Sequence, residues 1–340
     1  MKNKFSGKHG PLLIAEIGGN HEGNFEYAKK LLKDAIATDV DVIKFQIYFP
    51  DTLVNREIDL NRFNHFKKFT LTKNQHIELA EICVKAGKKY LASVWDIQAL
   101  DWIDNYCNFY KIGSGDFTAF QSIDATIEKE KPIIISTGLS DISEIDKVVS
   151  YIISRDKSYN NENMLALLQC TSMYPIPENE VNLNVMDLYK SKYGLSVGYS
   201  DHTEDIEALY ASVIKGAQIL EFHYTDNKNN TTFRDHKVSL NNSDIERLIN
   251  KIKRYKLMSG SKFKKPTKSE IGNNHVESFR RALYFKEDMY IDQIVKPDDI
   301  ISLRPNVGID ARFFHEIIGR KLKINVKKLS KLDFKMFYEK

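Results

Sequence analysis

Two histidines, His202 and His223, each close an apolar run that ends in polar residues: Gly194-Leu-Ser-Val-Gly-Tyr-Ser-Asp-His-Thr203 and Gln218-Ile-Leu-Glu-Phe-His-Tyr-Thr225. A neutral imidazole is the commonest metal ligand, and a pair of them leaves coordination positions open for water or a substrate oxygen. A lone histidine is more often a hydrogen-bonded core residue. Two at the ends of neighbouring strands reverse that preference, with Asp201, Glu221 and Asp235 near in sequence as carboxylate partners. Asp235 is the weakest of the three, because it lies in a polar loop where aspartate is common anyway, and His236 beside it reads as a loop residue.

A second set of residues has the chemistry of an anion site. Lys44 and Lys111 fall inside apolar runs, where burial costs several kcal/mol unless the ammonium meets an acid or an anion. Ser93, Ser114, Ser136, Ser172 and Ser200 close other apolar runs, and Gly113 and Gly115 would let the backbone approach phosphate or carboxylate oxygens. No P-loop and no G-x-G-x-x-G follows any run, which disfavours nucleotide cofactors. The third set is Glu16 with Asn20, His21 and Glu22. The Glu16 carboxylate could act as acid or base or bind a sugar hydroxyl, whereas Glu22 fits better as part of a helix cap.

These residues need elements that carry them to one place. Short apolar runs at 11–18, 40–48, 89–96, 109–116, 131–138, 164–171, 194–201 and 218–225 read as buried parallel strands. Amphipathic stretches at 24–38, 73–87, 97–106, 120–130, 141–154, 182–192, 204–215 and 243–257 read as helices. About eight βα units in roughly 250 residues predict an α/β fold, a closed (β/α)₈ TIM barrel over 1–257, whose ligands bind at the strand C-terminal ends. Residues 258–275 lack periodicity and read as a linker. Beyond it, 278–285, 300–303 and 322–326 look like short strands of a small domain over 276–340.

Composition narrows the class. The chain has 340 residues, 42% hydrophobic and 28% charged, with net charge +4. That charge is too small to imply nucleic acid, and no run approaches the roughly 20 apolar residues that cross a bilayer. The N-terminus has no signal-peptide core, so a cytoplasmic location is expected. Cys83, Cys107 and Cys170 have no metal-type spacing and read as reduced thiols.

Seven segments, in order, resemble the sialic acid synthase family. They are Glu16-Ile-Gly-Gly-Asn-His-Glu-Gly23, Lys44-Phe-Gln46, Tyr110-Lys-Ile-Gly-Ser-Gly115, Ile135-Ser-Thr-Gly138, Cys170-Thr-Ser-Met-Tyr-Pro175, Tyr199-Ser-Asp-His-Thr203 and Glu221-Phe-His-Tyr-Thr225. Phe279-Arg-Arg-Ala-Leu-Tyr284 and Leu303-Arg-Pro305 resemble the small antifreeze-like (SAF) domain that closes these enzymes. The resemblance implies condensation of phosphoenolpyruvate with an N-acetylmannosamine-type sugar, water addition at C2 and release of phosphate by C–O cleavage. A legionaminic or pseudaminic acid synthase acting on a 2,4-diacetamido-2,4,6-trideoxyhexose is the alternative. A metal-dependent aldolase, a phosphosugar isomerase or a non-catalytic sugar-binding protein stand further off.

The resemblance also assigns roles. It implies a divalent metal on His202 and His223, Mn²⁺ before Mg²⁺ or Co²⁺. Lys44, Ser93, Lys111, Ser114, Ser136, Ser172 and Ser200 would grip phosphoenolpyruvate. Glu16, Gln46, Asp116, Tyr174, Asp235 and Arg304 would meet the sugar, and Glu16, Lys111 and the two histidines would carry the catalysis. It further implies a domain-swapped homodimer in which Arg304 enters the partner's site. Asp116 stands where a longer Glu is usual, Phe222 where a basic residue is usual, and Asn306 where glycine commonly follows Arg-Pro. Residues 49–71, expected to be a long loop over the sugar end, match least well.

Overall fold

The strands of this chain alternate in a way that dictates a closed sheet. In a strand, residues i, i+2 and i+4 line one face. Leu12, Ile14 and Glu16 form one such row, and Val42, Lys44 and Gln46 another. Leu91 with Ser93, Ile134 with Ser136, Leu168 with Cys170, and Ile219 with Glu221 and His223 continue the theme. Each row runs from apolar to polar toward the strand C-terminus. Their apolar members, joined by Phe5, Phe109 and Ala166, form one buried cluster, while the intervening Leu13, Ala15, Ile43, Phe45, Ile133 and Ile135 join the larger cluster under the helices.

The computed structural model describes residues 3–229, 231 and 233–339. The barrel is closed by eight parallel strands that pair in chain order: β1 (Gly10–Glu16), β2 (Val42–Ile47), β3 (Lys89–Val94), β4 (Tyr110–Ile112), β5 (Ile133–Ser136), β6 (Leu165–Cys170), β7 (Ser196–Asp201) and β8 (Ile219–Tyr224), with the short Ser239–Leu240 pairing beside β8. The first pairs with the last, so the barrel closes. The register aligns Glu16 with both Lys44 and His223, Gln46 with Ser93, Ser93 with Lys111, and Ser200 with both Cys170 and Glu221. The polar end of every row therefore arrives at one rim.

Helices α1 (Phe25–Ile36), α4 (Lys73–Lys85), α6 (Phe120–Ile127), α7 (Ile142–Arg155), α8 (Val185–Tyr193), α9 (Glu207–Ile214) and α10 (Asn242–Ser259) alternate with the strands. Their starts are chemically marked. Thr72 with Gln75 and Asp141 with Glu144 form capping boxes, and Asn24 accepts from Tyr27 N–H.

Several elements differ from the sequence expectation. The run 109–116 yields only the three-residue β4, because Gly113 ends the pairing and Ser114–Asp116 turn into a 3₁₀ helix. The stretch 97–106 shortens to α5 (Ala99–Ile103) followed by a 3₁₀ turn. Residues 49–71 are not a loop. They hold α2 (Pro50–Leu53) and α3 (Leu60–Phe69), the latter capped by Asp59 onto Arg62 N–H.

The chain divides into two compact units, Met1–Ser259 and Gly260–Lys340. Within the stretch read as a linker, α10 runs on to Ser259 and Thr267 caps a short helix, α11 (Lys268–Gly272). The second unit pairs β9 (Ala282–Phe285) antiparallel to β10 (Ile300–Leu303) over a cluster that includes Leu283, Phe285, Val295, Leu322 and Phe337. Residues 322–326 form isolated bridges, from Leu322 to Phe337 and from Val326 to Met289, rather than a strand. Among the described residues, no helix is long and apolar enough to cross a membrane.

Candidate active site

Four buried charges, on β1, β2, β4 and β8, meet at the polar ends of their rows. Lys44 Nζ lies 2.6 Å from Glu16 Oε2 and 3.6 Å from Glu221 Oε1, and Lys111 Nζ lies 3.7 Å from Glu221 Oε2. The formal charges cancel, so the array can be buried without a ligand. The two lysines are nonetheless unequal. Burial acts to lower the Lys44 pKa, but Glu16 and Glu221 outweigh it and hold it above the ordinary lysine value. Burial dominates at Lys111, and Glu221 offsets it only in part, so its pKa falls below the ordinary value. Burial raises Glu221, yet Lys111 and Lys44 outweigh it and leave the carboxyl below its usual range.

The serines are oriented by these cations. Lys44 donates to Ser93 Oγ at 3.1 Å, and Lys111 donates to Ser136 Oγ at 2.7 Å and to Ile112 O at 3.1 Å. A hydroxyl that accepts from an ammonium keeps its own proton for a third group. Ser114 Oγ likewise accepts from Gly138 N–H at 3.0 Å. A Cβ at Gly138 would collide with Ser172 Oγ and come within 2.8 Å of Ser114 Oγ, so only glycine lets those two hydroxyls converge. Ser200 pairs in register with Glu221, and burial pushes Asp116, in the turn after β4, up to about 6 against the pull of Lys111.

The histidine rings lie opposite, with centroids 5.3 Å apart. His202 Nδ1 is 3.0 Å from Thr171 O. A carbonyl can only accept, so Nδ1 carries the proton and the Nε2 lone pair is free. Burial, then the neighbouring His223, pushes His202 down to about 3, which keeps the imidazole neutral. His223 Nδ1 is buried without a hydrogen-bond partner among the described residues and lies 4.0 Å from Asp235 Oδ2. Two facing imidazoles, one oriented by a carbonyl and the other with an unpartnered buried Nδ1, fit a divalent cation. Among the described residues no group of three or more His, Cys, Asp or Glu side chains gathers as a cage.

The rim above is aromatic and loop-borne. The Tyr174 ring lies 3.9 Å from His202, and Arg234 lies 4.0 Å from the Tyr174 centroid. From the segment 49–71, Phe66 of α3 meets Tyr48 edge-on at 5.0 Å, Tyr48 stacks on Trp95 at 5.2 Å, and Phe69 meets Phe233 at 4.8 Å. A Cβ at Gly19 would come within 2.9 Å of the Phe233 ring, which makes room for that contact. His21 points elsewhere, its Nδ1 accepting from Gly23 N–H.

The barrel thus brings together Glu16, Lys44, Ser93, Lys111 and Ser136 by direct contact. Gln46, Ser114, Ser172, Ser200, His202 and His223 join them on the same strand ends or the turns that follow. Arg304 belongs to the second unit, just after β10, its guanidinium 5.8 Å from the Phe279 centroid. Sequence reasoning treated Glu221 as a neighbour of the histidines and missed that it spans both lysines. Its position two residues before His223, on the same inner row, was the available signal. Nothing local in the sequence marks Arg234 or the Tyr48–Phe66–Trp95 cluster.

Known proteins place this arrangement. A model described as the NeuB family matches residues 31–264. An uncharacterised protein of Methanocaldococcus jannaschii is 33% identical over 324 residues, covering 94% of this chain and 93% of that one. The N,N'-diacetyllegionaminic acid synthase of Campylobacter jejuni is 31% identical over 322 residues, covering 91% of this chain and 95% of that one. Among solved structures, the N-acetylneuraminic acid synthetase of Leptospira borgpetersenii in complex with citrate is 27% identical, with a TM-score of 0.69 over 78% of this chain and 91% of that one.

Proposed function

The chain belongs to the NeuB family, and from that premise we propose that it condenses phosphoenolpyruvate with an N-acetylmannosamine-type sugar into a nine-carbon 2-keto sugar acid. In that reaction C3 of phosphoenolpyruvate bonds to the sugar aldehyde carbon, water adds at C2, and the C2–O bond breaks to release phosphate. The observation that carries this reading is the pairing of a buried four-charge array with two facing histidines at one barrel rim.

The residues divide the work. Lys111, with no carboxylate closer than 3.7 Å among the described residues, is the ammonium available to a phosphate or carboxylate oxygen. Ser93 and Ser136 present the hydroxyl protons that their lysines leave free, and Ser114, Ser172 and Ser200 complete the anion pocket. Lys44 is held by Glu16 and orders that carboxylate toward the sugar side, which Gln46, Asp116, Tyr174 and Asp235 would complete. His202 and His223 would hold a divalent ion, Mn²⁺ first, with Mg²⁺ or Co²⁺ as alternatives. When bound, that ion polarises the aldehyde oxygen.

We assign the second unit the role of an SAF domain that delivers Arg304 to the partner subunit's site in a domain-swapped homodimer, and we place the enzyme in the cytoplasm. Mixing inactive Arg304→Ala with inactive His202→Ala protein should restore some turnover. No recovery despite demonstrated subunit exchange would overturn the shared site. The synthase reading itself is tested by phosphate release from phosphoenolpyruvate with Mn²⁺ and a panel containing N-acetylmannosamine and 2,4-diacetamido-2,4,6-trideoxyhexoses. Release that requires both substrates supports it; release from phosphoenolpyruvate alone, or none with any sugar, sinks it.

A further inference from the structure

Arg234 closes a ring of contacts around the histidine pair. Its Nε donates to Asp235 Oδ1 at 2.7 Å, while its guanidinium lies over Tyr174 at 4.0 Å from the centroid. Tyr174 packs on His202 at 3.9 Å, His202 faces His223 at 5.3 Å, and His223 Nδ1 returns to Asp235 Oδ2 at 4.0 Å. Two loops distant in sequence, after β6 and after β8, are thereby joined by one side chain.

Each half of this contact has a physical need. The Asp235 side chain is only 8% exposed, and among the described residues Arg234 Nε is the only side-chain donor within hydrogen-bond reach of its carboxylate. A buried carboxylate that loses its single charged donor costs far more than an exposed pair is worth. Tyr174 has no strand to fix its ring, and a cation over an aromatic face restricts it at modest cost. Only a planar, forked guanidinium serves both at once, since an ammonium has neither the flat face nor the rigid angle.

We propose that Arg234 is a positioning residue for the sugar: it holds the Asp235 carboxylate and the Tyr174 ring in one mutual arrangement over the histidine pair. This inference rests on the synthase reading above. The side chain is 59% exposed, so its loss should leave the barrel intact and act on the loops alone.

The test uses full-length Arg234→Ala, Arg234→Gln and Arg234→Lys proteins with phosphoenolpyruvate, Mn²⁺ and whichever panel sugar gives the wild type its fastest phosphate release. Arg234→Ala should raise the KM for the sugar about tenfold or more. Its KM for phosphoenolpyruvate should stay within about twofold, as should calorimetric phosphoenolpyruvate affinity. Arg234→Lys, which keeps a charged donor for Asp235 but no flat face for Tyr174, and Arg234→Gln, which keeps a planar donor but no charge, should each recover only part of the loss. A sugar KM unchanged in Arg234→Ala overturns the proposal, as does an equal rise in both KM values or full rescue by lysine or by glutamine. Wild-type protein with no phosphoenolpyruvate-dependent turnover on any sugar would instead sink the synthase reading, and this inference with it.

Discussion

The two sides of the barrel mouth are built on different terms. The lysine side consists of strand residues: Glu16, Lys44, Lys111 and Glu221 are 1%, 2%, 4% and 7% exposed. Each has an opposite charge within 3.7 Å, supplied by another strand, the adjacent one for Glu16 with Lys44 and one across the barrel for Lys111 with Glu221. The opposite side consists of loop residues, namely Tyr174, Arg234, Asp235 and the helix α3, joined by ring stacking and one partly exposed guanidinium. Buried charge explains the contrast. A misplaced buried ammonium costs several kcal/mol, so it must ride on backbone that hydrogen bonds already hold. Aromatic contacts each contribute about 0.5–1.5 kcal/mol and tolerate displacement, so they can be carried by segments free to vary. The chemistry common to the reaction would lie on the strands, and the choice of sugar on the loops.

The sharpest way to break this division is Lys111→Ala. If Lys111 is the free ammonium of the anion pocket, turnover should fall by about 10²–10³ or more and calorimetric phosphoenolpyruvate affinity should collapse; unchanged affinity would place the anion elsewhere. Next, Glu221→Ala leaves Lys111 without its nearest carboxylate. Urea unfolding of the ligand-free protein should show a loss of about 3–5 kcal/mol, part of it regained in phosphoenolpyruvate. A loss under about 1 kcal/mol would mean that the strand side does not need its charge balance.

The frame beneath both sides is probed by acid. Burial pushes His21 down to about 4, and burial followed by His21 pushes His76 down to about 3, against an ordinary 6.5. Both are neutral when folded, whereas the unfolded chain takes up protons below 6.5. Their contribution is therefore full above pH 6.5 and is lost as pH falls toward 4. At pH 5 each should cost about 2 kcal/mol relative to pH 7, and His76→Leu should flatten the urea-midpoint profile; an unaltered profile would refute this. The smallest effect belongs to the loop side. Phe66→Ala removes the edge contacts of α3 with Tyr48 and Trp95, so sugar KM should rise a few-fold with a stability loss of about 1 kcal/mol. A change in phosphoenolpyruvate affinity instead would blur the two sides.

Which residues were legible from sequence follows the same line. The barrel and its polar rim could be read because pleating puts i and i+2 on one face, so Leu12-x-Ile14-x-Glu16 announces both a core and a mouth. Parallel pairing in chain order then forces every such mouth to the same end. Polar residues at the ends of successive apolar runs thus put Lys44, Lys111, the serines and both histidines at one mouth without knowledge of any contact.

Other features came only with the folded chain. Gly113 ended the fourth strand and Ser114–Asp116 turned into a 3₁₀ helix, the segment 49–71 folded as helices over the mouth, and Glu221, whose place on the inner row was legible, proved to bridge two lysines on different strands. The pairing of Arg234 with Tyr174 is of the same kind. Sequence by itself determined which side chains share a face, since that depends only on the strand period and the direction of the chain. Tertiary structure alone decided which charge meets which, and which loop covers the site. Those outcomes depend on barrel register and on the closure of long segments, and a linear pattern carries no distance between them.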